Sequence, residues 1–246
     1  MDRKLLSLLL KTSVISLFLI LVNSGFAKDQ WVFLGDSLTV GMIGDGSQLE
    51  HEARQRWGQS IEVINKSRRG KHSYEYKKEI HQILAQYPRA QYFPIFCGVN
   101  DVLNYNAGSA KQLRGWLTYV LKAITTAGRT PILMRMTYRN YRGHDPLAAF
   151  NPGVYDPLIK KYSSKWYDYA RNKGLIDPHS FIKYNPQYLS SDGLHLNASG
   201  YKALRKELIL EKMMGQIYSL NAQNEESEDY IIQIAQSEDF FSTFNQ

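Results

Sequence analysis

From Lys28 onward, unbroken apolar runs alternate with stretches in which apolar residues recur every three or four positions. Runs at 31–35, 61–66, 92–98, 130–136 and 175–177 read as strands buried on both faces. Helical spacing follows each of them, at 37–42, 74–86, 110–127, 154–172 and 198–218. In the third of these, Leu113, Leu117, Val120, Leu121 and Ile124 fall on one face, and Gly128 stops the pattern. Five β-then-α alternations predict an α/β fold: a five-stranded parallel sheet covered by helices on both faces. The aromatic residues Tyr162, Trp166, Tyr167 and Tyr169 read as the packed face of an amphipathic helix rather than a sugar platform. Residues 137–153, rich in Tyr, Arg, Asn and Pro, follow a strand end and read as the wall of a site.

The first 27 residues stand apart from this pattern. Met1-Asp2-Arg3-Lys4 is basic, 5–26 is mostly apolar, and Gly25-Phe26-Ala27 offers small residues where a signal peptidase cuts. Residues 1–27 therefore read as a signal peptide and the protein as exported, to the periplasm or the medium. No later stretch approaches the roughly 20 apolar residues of a membrane span. The single cysteine, Cys97, lies in an apolar run and reads as a small buried hydrophobe.

Charge is unevenly spread. The whole chain carries +7, yet residues 224–246 hold six acidic residues and no Lys or Arg. That leaves 28–223 with 27 basic against 16 acidic residues, a balance of +11. Such a body favours anionic surfaces or substrates. Nucleic acid is set aside as a partner by the export signal and by the lack of a binding motif. Residues 221–246 read as an acidic tail with no catalytic part, behind one domain at 28–220.

The chemistry gathers where predicted strands end. After the first strand comes Gly35-Asp36-Ser37-Leu38, with Ser37 at the carboxyl edge of the sheet, where ligands bind in open α/β folds. There Ser37 is either a helix N-cap or a nucleophile. Of six histidines only His195 has a partner pattern. Asp192-Gly193-Leu194-His195 precedes the last helix, so Asp192 can fold back to accept the imidazole Nδ1–H and leave Nε2 for the serine proton. Asn100, in Gly98-Val99-Asn100-Asp101, offers a side-chain amide after the third strand. Gly70, after the second, offers a backbone N–H that a substrate can approach closely.

Taken in order, Gly35-Asp36-Ser37-Leu38, Gly70, Gly98-Val99-Asn100-Asp101 and Asp192-Gly193-Leu194-His195 resemble the four blocks of the GDSL/SGNH hydrolase superfamily. The resemblance spans about residues 30–215. It implies a flavodoxin-like three-layer fold, hydrolysis of esters or thioesters, and no metal or other cofactor. By the family's pattern Ser37 is the nucleophile, His195 the base and Asp192 its orienter. Ser37 N–H, Gly70 N–H and the Asn100 amide form the oxyanion hole. Pro131-Ile132-Leu133-Met134-Arg135-Met136, with the loop after it, also looks like the exported thioesterase/lysophospholipase branch.

One segment departs from the family. Arg68, Arg69 and Lys71 surround Gly70, where small or neutral residues are usual. Arg68 and Arg69 are therefore candidate substrate-binding residues for an anionic ester of lipid or glycan type. Two alternatives to hydrolysis remain at this stage: an O-acyltransferase using the same residues, and a glycan- or lipid-binding protein without turnover.

Overall fold

The computed structural model describes residues 28–105, 110–163 and 177–218. Four parallel strands form its sheet: β1 (Asp29–Gly35), β2 (Ile61–Asn65), β3 (Ala90–Phe96) and β4 (Thr130–Leu133), in the spatial order β2-β1-β3-β4. Trp31, Val32, Phe33 and Leu34 are completely buried, as a central strand with both faces covered requires. At the edge, β2 buries only alternate residues over its first half. The expected fifth strand at 175–177 falls largely outside the described residues. Its last residue, Asp177, caps a helix instead, accepting from Ser180 N–H at 3.2 Å.

Helices carry each crossover: α1 (Ser37–Ile43), α2 (Ser47–Trp57), α3 (Ser73–Gln86), α4 (Val99–Tyr105) and α5 (Ala110–Thr126). Beyond β4, a π-helical turn (Asn151–Tyr155) leads into α6 (Asp156–Tyr162), followed by α7 (Pro178–Lys183) and α8 (Ala198–Leu204). The last helix continues as a π-helix over Arg205–Met214. Strand order reverses direction after β2, so right-handed crossovers put the β1–β2 and β2–β3–β4 connections on opposite faces. On one face α3 packs on α5. On the other, α2 meets the final helix, where Trp57 Nε1–H donates to Leu210 O at 3.2 Å and Arg56 pairs with Glu211 at 3.1 Å. This is the expected three-layer arrangement.

The predicted stripe of α5 is buried throughout, and Gly128 (φ +73°) ends it, with Arg129 N–H reaching back to Ile124 O. Three helices were not expected: α2, α4 and α7. In α2 only Leu49 and Ala53 are buried, too thin a stripe to register as a period. α4 begins at Val99, directly after the expected end of the third strand, while β3 itself stops at Phe96 and β4 at Leu133, both short of the expected strand ends. Beyond β4, Arg135 grips Asp156 at 2.7 and 2.9 Å and Asp177 at 2.8 Å, tying the chain after the strand to α6 and α7. No helix among the described residues is long and apolar enough to cross a membrane. The proposed signal segment, the acidic tail, Trp166, Tyr167 and Tyr169 lie outside the described residues.

Candidate active site

Ser37 follows β1 directly, and its neighbour Asp36 decides what it is free to do. Asp36 is the N-cap of α1, with Oδ1 accepting from Leu38 N–H at 3.0 Å, so Ser37 becomes the first helical residue. The capping role open to Ser37 is thereby taken, and its hydroxyl lies 2.9 Å from His195 Nε2. The signal was present in the sequence, because Asp caps as well as Ser and stands one residue earlier.

Gly35 is needed for closeness rather than for turn conformation. A Cβ there would stand 1.8 Å from Thr39 Oγ1 and 2.5 Å from Phe96 O. The buried Tyr76 hydroxyl accepts from Gly35 N–H at 2.7 Å and lies 3.0 Å from Lys66 O, fixing the strand end that precedes Ser37.

His195 stands on the loop before α8. Its Nδ1 lies 2.5 Å from Asp192 Oδ2, while Asp192 Oδ1 accepts the backbone N–H of both Leu194 and His195 at 2.9 Å. Partial burial works against ionised Asp192. The hydrogen bonds from the His195 ring and from the two backbone N–H groups outweigh it and bring the carboxyl down to about 2. Asp192 is therefore an anion at any ordinary pH. The loop is closed by Ser190, whose N–H and hydroxyl both donate to His195 O, at 2.8 and 2.7 Å. Both side chains are open to solvent, His195 36% and Asp192 51% exposed.

The remaining predicted residues lie on the loops after β2 and β3. Gly70 (φ +74°) is exposed in a tight turn, and Arg68 N–H donates to Gly35 O at 3.2 Å, which binds that turn to the end of β1. Asn100 sits in the first turn of α4, not at a strand end, and its Nδ2 donates to Lys71 O at 3.1 Å. One amide hydrogen thus joins the α4 start to the Gly70 loop, and the other is left over. Arg68 pairs with Glu75, whose Oε1 also accepts His72 N–H at the start of α3. Lys71 is buried, paired with Glu79 at 2.6 Å and stacked 4.1 Å over the Tyr76 ring. Of the three cations around Gly70, only Arg69 meets no carboxylate among the described residues.

Behind Ser37 lies a buried acidic pair. Burial pushes the Asp36 carboxyl up to about 7, against the Leu38 N–H bond that favours the anion. The Asp101 carboxylate raises it further and His195 opposes. Asp36 Oδ2 has no hydrogen-bond partner. Asp101, also raised by burial, accepts Ser73 N–H at 2.9 Å and Ser73 Oγ–H at 3.0 Å. Among the described residues no cluster of His, Cys, Asp or Glu is suited to hold a metal ion.

Residues 33–203 match the family model described as GDSL-like Lipase/Acylhydrolase family. The chain belongs to that family. Members are carboxylic ester hydrolases, and the GDSL block is the segment that carries Ser37 here. No curated protein matches the sequence. Solved structures similar to this GDSL-family chain include a psychrotrophic esterase, EstA, from Pseudoalteromonas sp., inhibited by monoethylphosphonate. It is 19% identical, with a TM-score of 0.58 over 79% of this chain and 100% of that one. A lipase/acylhydrolase from Enterococcus faecalis is 22% identical, with a TM-score of 0.57 over 76% and 96% of the two chains. An acetyl xylan esterase, AlAXEase, is 20% identical, with a TM-score of 0.54 over 72% and 96%. At these identities the likeness is one of fold.

Proposed function

We propose that this GDSL-family hydrolase is an exported serine esterase with Ser37 as nucleophile, His195 as base and Asp192 as orienter. The observation that carries the reading is the continuous line Ser37 Oγ–His195 Nε2–Asp192 Oδ2, at 2.9 and 2.5 Å. With Nδ1–H held by Asp192, the neutral imidazole presents a lone pair on Nε2 to the serine hydroxyl. Ser37 Oγ bonds to the ester carbonyl carbon as its proton passes to Nε2, and the carbonyl electron pair moves onto oxygen. Ser37 N–H, Gly70 N–H and Asn100 Nδ2–H are the donors assigned to that oxyanion. Ser37 N–H belongs to the first turn of α1, where backbone donors have no partner within the helix. Collapse expels the alkoxide, which takes the proton back from Nε2. Water then repeats the sequence on the acyl-enzyme, freeing the acid and restoring Ser37.

Solvent exposure of His195 and Asp192 favours hydrolysis over O-acyl transfer, which needs water kept from the acyl-enzyme. The acetyl xylan esterase among the similar folds keeps O-acetyl glycans beside lipid esters as substrates. Of the two arginines proposed to favour anionic substrates, Arg69 retains the role, because Arg68 is engaged with Glu75. Export rests on the basic start, apolar run and small-residue site of residues 1–27.

Hydrolysis of a chain-length series of p-nitrophenyl esters by wild type and by Ser37→Ala tests the assignment. Turnover should vanish in the variant while wild-type Ser37 reacts with a fluorophosphonate probe. Equal turnover in the two proteins would sink it.

A further inference from the structure

The loop after β4 leans on the segment that carries His195. Asn140 N–H donates to Gly193 O at 2.9 Å, and a Cβ on Gly193 (φ +65°) would stand 2.1 Å from Asn140 O. Just beyond, Tyr141 and His144 exchange both backbone hydrogen bonds, at 2.8 and 3.0 Å, around Arg142 and Gly143. Both central residues have positive φ, +52° and +80°, the pattern of a type I′ turn. Arg142 is the one non-glycine residue with positive φ among the described residues, at a position where Asn, Asp or Gly is usual. Strain of this kind is characteristic of functional loops.

The turn gathers positive charge. Tyr141 is 48% exposed, and the guanidinium carbons of Arg139 and Arg142 lie 5.0 and 5.4 Å from its ring centre. Elsewhere Arg56, Arg68, Arg89, Arg135 and Arg205 each meet a carboxylate. Arg139 and Arg142 meet none, as is true of Arg54, Arg69, Arg114 and Arg129 among the described residues, but only these two share one aromatic ring. The loop's own acid, Asp145, is taken up by His179 Nε2 at 2.7 Å and by backbone N–H groups of Arg139 and Leu147. Two guanidinium groups held on one ring, with no counter-charge, form a receptor for an oxyanion.

We infer that Arg139, Tyr141 and Arg142 bind the anionic group, carboxylate or phosphate, of the substrate's leaving alcohol. This inference rests on the assignment of His195 as the base. His195 Nε2 returns its proton to the departing oxygen, so the alcohol half of the ester lies over the His195 loop that Asn140 buttresses. A charge on the alcohol half meets the guanidinium groups, and a charge on the acyl half does not.

Three acetate esters and one succinate test it: methyl 4-acetoxybenzoate (neutral), 4-acetoxybenzoate, 4-acetoxyphenyl phosphate, and phenyl hemisuccinate with its charge on the acyl side. In Arg139→Gln/Arg142→Gln, the kcat/KM ratio of anionic to neutral acetate should fall about tenfold, or ~1.4 kcal/mol, mostly through KM. The hemisuccinate ratio should hold. For wild type alone, about 0.5 M salt should move the acetate ratio toward that of the variant, because exposed pairs are screened. Whichever of the carboxylate and phosphate esters shows the larger fall gives the anionic group the arginines prefer, carboxylate as in an acidic sugar or phosphate as in a lipid headgroup. Proportional losses on neutral and anionic acetates, an equal fall for hemisuccinate, or a salt-insensitive wild-type ratio would each overturn the inference. Turnover of the neutral acetate by Ser37→Ala reports separately on the serine mechanism.

Discussion

Replacing Asp36 with Asn should stabilise the protein more at about pH 8 than at about pH 5. Burial, with Asp101 adding to it, lifts the Asp36 carboxyl from the ordinary carboxylate range to about 7. Between those two values the folded chain holds a proton that the unfolded chain has already lost, so stability falls as pH rises. The contribution is complete below the unfolded value, near 4, and is lost once the pH passes about 7. From pH 5 to 8 the native state traverses about two units of that window, worth ~3 kcal/mol at about 1.4 kcal/mol per unit. Asn keeps the cap, since its amide oxygen can accept Leu38 N–H as Asp36 Oδ1 does. Its NH2 group replaces Oδ2, which already lacks a partner, and any cost of burying it is the same at both pH values. Urea unfolding of wild type and variant at each pH, followed by tryptophan fluorescence, gives two stability differences. Their gap isolates the titration of Asp36, with the two groups coupled to it, Asp101 and His195, from the remaining pH-dependent groups. Differences that agree at pH 5 and 8 would refute the buried-acid reasoning.

Asp192→Asn should lower kcat by roughly 10²-fold, less than the ~10⁴ seen when a fully buried orienter is so changed, because Asp192 is half exposed. Since Asp192 ionises at about 2, its own titration should not shape the wild-type rate above about pH 4. A wild-type acid limb centred near the ordinary carboxylate value, about pH 4, that disappears in the variant contradicts this. For export, N-terminal sequencing of protein recovered outside the cytoplasm should begin at Lys28, and an intact Met1 on that material would remove the cleavage site.

How much could be read in advance depended on local signal strength. The stripe of α5 and the continuous run of β1 are strong periods, and both elements lie where the pattern puts them. α2 was hidden because Leu49 and Ala53 are its only buried residues, while glycines at both ends rather than a side-chain cap set its limits. Three of the four blocks of chemistry were legible because they come after β1, β2 and β3, which are neighbours in the sheet, and the fourth because it stands just before α8. Partner choice was not legible. Arg68 looked like a free cation beside Gly70 until Glu75, seven residues on, was seen to hold it. Nothing local in the sequence tells that Asn140 would rest on Gly193, because that contact is made only when the loop after β4 meets the loop before α8.

The serine and histidine that share a hydrogen bond are 158 residues apart in the chain. The final helix is fastened to the first strand by a bond of still greater separation, Trp31 Nε1–H to the Tyr218 hydroxyl, 187 residues apart. Until the segments around Ser37 and His195 have found each other, Ser37 is an ordinary alcohol with no imidazole beside it. Contacts of such separation are slow to form. A chain still emerging from the ribosome, or threading a translocation pore unfolded, therefore lacks the proposed hydrolytic centre. Completed folding is itself the switch that turns the chemistry on, wherever in the cell it takes place.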